Sequence, residues 1–288
     1  MLVNFKLMLQ KAKLGKYAIP HININNYEWA KAVLTAANQA NSPIIVSVSE
    51  GALKYMSGYS VVIPLVKGLI ESLSVKVPVT LHLDHGSYDA CIQALQAGFS
   101  SVMFDGSHLP FEENFNKSKK LIEIAQKTNA SVELEVGTIG GEEDGVIGQG
   151  ELANVDECKQ IASLKPDALA AGIGNIHGIY PKNWKGLNFP LIETISKITN
   201  LPLVLHGGSG ILENDVKKAI SLGICKLNIN TECQLAFAHE IRKYIESNKD
   251  LDLNKKGYDP RKLLKEPTQA IVDTCLEKID LCGSRNKA

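Results

Sequence analysis

Histidines occur in three short stretches that each follow an apolar run. They are His85 in "LHLDHG", His177 in "GIGNIHG" and His206 in "LHGGSG". Polar groups at the end of a buried strand are costly unless they bind something or bond to each other. Three protein ligands that leave one coordination position open are typical of a catalytic zinc site. We therefore interpret these histidines as candidate zinc ligands, although a lone histidine in such a place would more often be an ordinary core residue.

Carboxylate and amide side chains follow the other apolar runs at equivalent points. They are Asp84 beside His85, Asp105 in "MFDGSH", the pair Glu133 and Glu135, and the pair Asn228 and Asn230. Residues two apart on a strand point to the same face, so each pair shares a face. A polar group at the end of nearly every strand from the third onward is hard to explain as surface decoration. The pattern indicates one shared site.

Short apolar runs alternate with amphipathic segments along the chain. Helical segments are predicted at 27–40, 112–127 and 213–222, an amphipathic helix within residues 1–20, and a final helix to about Leu281. The strand-like runs are "YAIPHIN", "PIIVSVS", "VPVTLHLD", "SSVMFD", "ASVELEVG", "DALAAGI", "LPLVLHGG" and "CKLNINT". Strands spaced by helices predict repeated βαβ units and a parallel sheet.

Eight such strands in 288 residues predict an α/β fold, a (β/α)8 TIM barrel. We expect one domain over residues 1–288, with extra C-terminal helices. A doubly wound open sheet is the alternative, but no G-x-G-x-x-G fingerprint follows the first strand. Barrel enzymes carry their chemistry at the C-terminal ends of the strands, which is where the polar residues fall.

A glycine-rich turn, "HGGSG", precedes a predicted helix after the seventh strand. Backbone N–H groups at a helix N-terminus bind anions, and the loops after strands seven and eight are the usual phosphate site of barrels. Gly207, Gly208, Ser209 and, after the eighth strand, Thr231 are therefore candidate phosphate contacts. Among the three arginines, Arg261 in "YDPRK" has the most suitable loop context for a second phosphate.

Composition excludes several classes of protein. The formal net charge is +0 and no basic block occurs, which disfavours a nucleic-acid binder. No apolar run approaches the roughly 18 residues of a membrane span. The six cysteines are scattered without a C-x-x-C pair, which predicts reduced thiols in a cytoplasmic protein.

In this order, the motifs resemble those of the class II, zinc-dependent fructose-bisphosphate aldolase family, which includes tagatose-bisphosphate aldolases. The resemblance covers essentially the whole chain. The stretches that carry it are "INNYEWAKAVLTAA", "LHLDHG", "SVMFDGS", "ELEVGTIGGEEDG", "GIGNIHGIY", "LHGGSGI", "KLNINTE", "DPRK" and "GSRNKA".

The resemblance implies a zinc ion on the three histidines and assigns the acid–base residues. Asp84 matches the residue that handles the C4 hydroxyl proton. Glu143, in the glycine-rich stretch 137–150, matches a lid glutamate that exchanges the C3 proton. Its neighbour Glu142 is the rival for that role. Asp105 and Glu135 match an alternative or second metal position.

The resemblance also implies the substrate contacts. Those for the dihydroxyacetone phosphate half are Gly178, Lys182, Gly207, Gly208, Ser209, Asn228, Asn230 and Thr231, with Asn228 near the enediolate. Those for the other half are Asn25, Ser49 and Arg261. The family forms homodimers or homotetramers, and Arg261 is expected to act either in its own subunit or across a subunit contact. A monovalent cation near the phosphate loops is a further expectation. The partners are a ketose bisphosphate and triose phosphates.

Two positions depart from the family pattern. Many relatives have Asp where this chain has Asn230, which changes the local proton network. Lys182 lies two residues after Tyr180, whereas some relatives have the lysine immediately after the tyrosine.

Four alternatives remain open. The substrate is fructose or tagatose 1,6-bisphosphate, which differ only at C4. A metal-dependent phosphosugar epimerase shares barrel, metal and phosphate loop, and a non-catalytic binding barrel is a third reading. A Schiff-base aldolase has Lys226 as its one candidate near the rim, and we expect that lysine at the start of its strand.

Overall fold

In the computed structural model, which describes residues 2–143 and 146–288 without the side chains of 143, 146 and 147, eight parallel strands close into a barrel. Their order around the barrel is β1, β2, β3, β4, β5, β8, β9 and β10. The strands are β1 (Ile19–Asn23), β2 (Ile44–Val48), β3 (Val79–Gly86), β4 (Ser101–Phe104), β5 (Ser131–Val136), β8 (Ala168–Ala171), β9 (Leu203–Leu205) and β10 (Ile224–Ile229). The predicted TIM barrel is confirmed, strand for strand.

Helices connect the strands and cover the outside of the barrel. They are α1 (Lys6–Gly15), α2 (Tyr27–Gln39), α3 (Glu50–Tyr55), α4 (Tyr59–Ser72), α5 (Tyr88–Ala97), α6 (Phe111–Thr128), α7 (Val155–Ser163), α8 (Phe189–Thr199), α9 (Glu213–Leu222), α10 (Thr231–Glu246), α11 (Pro260–Leu263) and α12 (Lys265–Cys282). Side-chain caps fix several starts: Asn26 accepts from the Trp29 N–H and Ser87 from the Ala90 N–H. Helix α12 packs against α2 and α10.

The barrel interior has an apolar end and a polar end. Helix α1 closes the N-terminal end, where Phe5, Met8 and Leu9 pack with Ile45 and Met103. Above this plug lie buried polar residues on the strands, namely His21, Asn23, Ser47, His82, Asp84, Ser101, Glu133, Glu135, Lys226 and Asn228. Strand residues of the opposite parity, such as Ile22 and Leu81, belong to the larger apolar layer beneath the helices.

The stretch 137–150, expected as an irregular lid, contains a short antiparallel hairpin. Strand β6 (Gly141–Glu143) pairs with β7 (Val146–Gly148). A Cβ on Gly148 would lie 1.7 Å from the carbonyl oxygen of Ile139, so only glycine allows this approach. At the hairpin base, the His177 N–H donates to the carbonyl of Gly140 at 2.7 Å. The hairpin is thereby tied to the segment that carries a predicted metal ligand.

Two further features bear on the sequence predictions. All six cysteines are buried and free. No helix within the described ranges is long and apolar enough to cross a membrane.

We expect Phe5→Ala to lower the free energy of unfolding by about 3–5 kcal/mol, because it removes a buried aromatic side chain and leaves a cavity. Phe5 is 0% exposed, and its ring centroid lies 5.6 Å from that of His82. Urea denaturation measures the change. Leu7→Ala on the same helix is the control: Leu7 is 68% exposed, and its loss should stay within about 0.5 kcal/mol. Equal losses of unfolding free energy in both variants would contradict a role for Phe5 in closing the N-terminal end of the barrel.

Candidate active site

Three histidine side chains from three different strand ends converge at the C-terminal mouth of the barrel. His85 lies on β3, His177 follows β8, and His206 follows β9. Their ligand nitrogens all lie within 4.8 Å of one another. Nε2 of His85 is 2.9 Å from Nδ1 of His206, and the ring centroids of His85 and His177 are 4.9 Å apart. The three candidate ligands are therefore brought together.

A distortion of β3 allows Asp84 and His85 to face the same site. Consecutive strand residues normally point to opposite faces. Here the register between β3 and β4 shifts between Leu83 and Gly86, and His85 adopts a φ of +46°. This left-handed conformation is uncommon for residues other than glycine and costs of order 1–3 kcal/mol. Strain of this kind persists where the surrounding structure holds it, which is typical of functional sites.

Carboxylates orient two of the three imidazoles. Nε2 of His206 lies 2.9 Å from Oε1 of Glu133, and Nδ1 of His85 lies 2.9 Å from Oδ2 of Asp105. An ionised carboxylate only accepts hydrogen bonds, so we assign the imidazole protons to those two nitrogens. The opposite nitrogen of His206, Nδ1, then carries the lone pair, and it faces Nε2 of His85 at 2.9 Å. Such carboxylate–histidine pairs are the usual support of metal-ligating histidines.

Burial and nearby charges give the three histidines different protonation states. Burial, together with the neighbouring His85, holds the pKa of His206 and of His177 well below its usual value. Both rings are therefore neutral, which is the form that binds metals. Burial also opposes charge on His85, but the hydrogen bond to Asp105 and the nearby Asp84 raise the pKa of His85 to about 10.

A second group of donors shares His85 with the first. His85, Asp105 and Glu135 also place one donor atom each within 4.8 Å of one another. Burial, reinforced by the Asp105 carboxylate, raises the pKa of Glu135 well above its usual value. Its Oε2 is buried and has no hydrogen-bond partner among the described residues. Imidazole nitrogen and carboxylate oxygen are both zinc donors, so these residues fit a metal ion in either position.

Asp84 is a buried carboxylate beside the histidines. Asn23 Nδ2 donates to its Oδ2 at 2.9 Å, and Asn228 Nδ2 lies 3.4 Å from its Oδ1. Burial opposes the charged form, but His21 and His85 outweigh it and hold the pKa of Asp84 well below its usual range. Asp84 is thus an ionised group that accepts protons at the barrel mouth.

Two cavities open around His177. The larger, of about 740 Å³, is lined by His85, Asp105, Glu135 and His177, and by residues of the hairpin base. The smaller, of about 20 Å³, is narrow. Its lining combines Asn23, Asp84 and His177 with Gly178, Gly207, Ser209, Asn228, Asn230 and Thr231. The structure thus gathers six of the predicted substrate contacts around one small cavity.

Backbone hydrogen bonds fix the glycine-rich loop in that cavity. Gly207 has a φ of +65°, and a Cβ there would lie 2.0 Å from the carbonyl oxygen of Ile176. The Tyr180 hydroxyl donates to the Gly207 carbonyl at 2.8 Å. The Gly208 N–H donates to the Asn228 carbonyl at 2.8 Å, so that amide already holds the loop to β10. A substrate contact at Gly208 stays a prediction.

The remaining predicted contacts lie outside this cluster. Lys182 is exposed, and the Arg261 side chain is 90% exposed and paired with Asp259 at 2.6 Å. As the structure describes them, neither residue lines either cavity. Ser49 is buried, and its hydroxyl accepts from the Ala52 N–H at the start of α3. Asn25 is half-buried.

The lid glutamate can be followed only in part. The backbone of Glu143 belongs to β6, but its side chain lies outside the described residues. Its role therefore stays a prediction.

Sequence reasoning missed Asn23 and His108. It placed Glu133 among the polar strand-end residues without a role, and it considered Lys226 only as a Schiff-base lysine. His108 lines the larger cavity, and Asn23 bonds Asp84. Lys226 was expected at the start of its strand near the rim, but it lies in the middle of β10 and is 0% exposed. The alternation of side chains along a strand could have indicated Glu133 and Lys226. Each stands two residues before a predicted site residue and therefore shares its face.

Comparison with known proteins is consistent with this geometry. The family model described as fructose-bisphosphate aldolase class-II matches residues 3–287. A fructose-bisphosphate aldolase of Mycoplasma pneumoniae is 78% identical over 100% of both chains, and one of Ureaplasma parvum is 52% identical over 99% of this chain and 98% of its own. Among solved structures, the YdjI aldolase from Escherichia coli K12 superimposes with a TM-score of 0.85 at 32% identity, covering 100% of both chains.

We expect His177→Ala to weaken zinc binding by more than about 100-fold, because it removes a ligand rather than a supporting residue, whose loss typically costs 10–100-fold. Competition against a chromophoric chelator measures the affinity. His239→Ala is the matched control, since His239 is exposed on α10. Unchanged affinity in His177→Ala, or an equal loss in both variants, would contradict the three-histidine site.

Proposed function

The chain belongs to the class II fructose-bisphosphate aldolase family, and on this basis we propose that it reversibly cleaves fructose 1,6-bisphosphate into dihydroxyacetone phosphate and glyceraldehyde 3-phosphate. One observation carries the assignment of the site. The ligand nitrogens of His85, His177 and His206 lie within 4.8 Å of one another, next to the buried carboxylate of Asp84. A Lewis-acid site beside a proton acceptor is what a retro-aldol reaction needs.

We propose zinc as the metal, held by the three histidines, with His85, Asp105 and Glu135 as the alternative or second position. When bound, zinc supplies Lewis-acid stabilisation of the negative charge that develops on the ketose half. Two neutral imidazoles and the carboxylate-supported His85 suit this ion.

Asp84 is the proposed base for the C4 hydroxyl. Two amides, from Asn23 and Asn228, hold its carboxylate at the edge of the small cavity, and its depressed pKa keeps it ionised before substrate binds. Loss of the C4 hydroxyl proton turns that oxygen into the aldehyde carbonyl as the C3–C4 bond breaks. The bonding electrons remain on C3, and the enediolate that results needs a proton there.

Glu143 is the proposed proton donor at C3, with Glu142 as the rival. The support is that the hairpin carrying it is bonded at its base to the His177 segment. A hairpin that closes over bound substrate brings a carboxyl group to the site and excludes water. Asn228, whose amide lies between Asp84 and His206, is placed to donate to the enediolate.

The small cavity suits the phosphate of the dihydroxyacetone half. Ser209 and Thr231 offer hydroxyls, Gly178 leaves open space beside its backbone, and Gly207 and Asn230 complete the lining. Helix α10 begins at Thr231, so its positive end faces the same cavity. A monovalent cation beside these loops belongs to the same proposal.

Asn25, Ser49, Lys182 and Arg261 are the proposed contacts of the rest of the substrate. Arg261 is exposed and lines neither cavity, which supports its acting in the site of a second subunit. A homodimer or homotetramer is therefore part of the proposal, as are a cytoplasmic location and a role in glycolysis.

Fructose bisphosphate is preferred over tagatose bisphosphate because the relatives that match over the full length are named fructose-bisphosphate aldolases. A Schiff-base mechanism is disfavoured, since the Lys226 ammonium is buried between Glu133 and Asn228. A phosphosugar epimerase would not need a lid glutamate in addition to Asp84 beside a metal ligand, so that alternative is less favoured.

We expect cleavage of fructose 1,6-bisphosphate to disappear with a chelator and return with zinc. Coupled triose-phosphate detection measures the rate, and tagatose 1,6-bisphosphate run in parallel should react more slowly. Activity that survives the chelator but is lost on borohydride treatment with substrate would indicate a Schiff-base lysine instead of a metal. No cleavage of either sugar by zinc-loaded protein would overturn the proposed reaction.

We expect Asp84→Asn to lower kcat by about 10²–10⁴-fold, the usual contribution of a general base, while zinc stays bound. Steady-state kinetics and metal content of the same preparation separate the two effects. A variant that keeps its zinc and turns over at the wild-type rate would remove Asp84 from the mechanism.

A further inference from the structure

We propose that Lys226 and Glu133 are positioning residues for this site: the pair fixes the tautomer of His206 through Glu133 and the amide orientation of Asn228 through Lys226. The inference rests on the proposed function, because it treats His206 as a metal ligand and Asn228 as a donor to substrate. Neither Lys226 nor Glu133 lines a cavity that the substrate would enter, as the structure describes those cavities. Both residues therefore act through others.

The pair spans the inside of the barrel. Lys226 on β10 and Glu133 on β5 are both 0% exposed, and Nζ of Lys226 lies 2.9 Å from Oε2 of Glu133. Strands β8 and β9 separate β5 from β10 around the barrel, so this contact crosses the interior. Each residue of the pair also bonds a side chain of the site: Glu133 bonds His206, and Lys226 bonds Asn228.

Glu133 determines which nitrogen of His206 faces the metal position. Its Oε1 lies 2.9 Å from Nε2 of His206, which places the ring proton there. Nδ1 is then the lone-pair nitrogen, and it points at Nε2 of His85, 2.9 Å away. Asn228 Nδ2 lies 3.1 Å from the same Nδ1, as expected if that nitrogen accepts. The Glu133 carboxylate is thus the acceptor that holds the ring proton on Nε2.

Lys226 determines which way the Asn228 amide points. An ammonium only donates, and Nζ of Lys226 lies 2.9 Å from Oδ1 of Asn228. The NH₂ group is consequently turned toward Oδ1 of Asp84, at 3.4 Å, and toward His206. The opposite orientation would set the amide oxygen against the Asp84 carboxylate and remove the donor from the reaction side.

A purely stabilising role explains these contacts less well. Buried ion pairs gain little over apolar pairs of similar volume, because removing both charges from water costs about as much as their attraction returns. Here each member of the pair also bonds a group of the site. The ion pair therefore holds the side chains of His206 and Asn228 in position.

The test compares Glu133→Gln, Lys226→Met and the double variant in the full-length chain. Removing one partner leaves a buried charge unpaired, so each single variant should lose thermal stability, and the double variant should recover much of it. If the pair positions His206 and Asn228, cobalt affinity and kcat should stay low in the double variant although its stability recovers. We expect cobalt(II) binding about 10–100-fold weaker in Glu133→Gln and in the double variant, with a changed visible spectrum. We expect a lower kcat at little-changed KM in Lys226→Met.

Thr80→Val is the matched control. Thr80 is a buried polar residue of β3 that bonds the carbonyl of Val3, at the opposite end of the barrel from the site. It should retain wild-type cobalt affinity and kcat. If the double variant regains affinity and kcat together with its stability, the pair is only structural and the proposal is overturned.

The tautomer is read separately, without metal or substrate. In protein labelled with ¹⁵N-histidine, His206 should be the Nε2–H form in the wild type and a mixture in Glu133→Gln. An unchanged His206 tautomer in that variant would overturn the proposal. Wild-type protein that shows the Nε2–H form but cleaves no ketose bisphosphate would instead count against the proposed function alone.

Discussion

Charges inside a closed barrel are stable only when each is paired, and this requirement orders the whole site. Lys226 and Glu133 are both 0% exposed, and the N-terminal end of the barrel is closed by the apolar cluster that includes α1. From that pair, hydrogen bonds run through His206 to His85 and on to Asp105 at the rim. In a medium of low dielectric constant an unmade bond in this series would be costly, so each group is held in one orientation.

The same requirement explains how one set of side chains serves several roles. Asp84 stays ionised despite its burial because His21 and His85 lie beside it, whereas burial and Asp105 favour the neutral form of Glu135. Carboxyl groups with opposite protonation therefore lie around one histidine. This division separates the proposed proton acceptor, Asp84, from the proposed ligand of the alternative metal position, Glu135.

Much of the architecture followed from the sequence because its signals are local. Strand and helix alternation predicted the eight strands, and strand-end position predicted that His85, His177 and His206 lie at one rim. Other features depend on geometry that spacing does not encode. The contact between Lys226 and Glu133 depends on how strands three places apart stand across the barrel. The shared orientation of Asp84 and His85 depends on a register shift in β3. The position of Arg261 outside the cavities is set by tertiary packing, which spacing along the chain does not encode. The hairpin in 137–150 was not predicted because its many glycines are typical of an irregular loop.

The most direct test is a crystal structure of zinc-loaded protein with anomalous scattering measured on both sides of the zinc absorption edge. We expect one strong peak at about 2.0–2.1 Å from ring nitrogens of His85, His177 and His206. Nδ1 of His206 should be the ligand nitrogen, with Nε2 still bonded to Glu133. A peak among His21, His82 and Asp84, whose donor atoms also cluster within 4.8 Å, would contradict it. So would a zinc ion bound through Nε2 of His206.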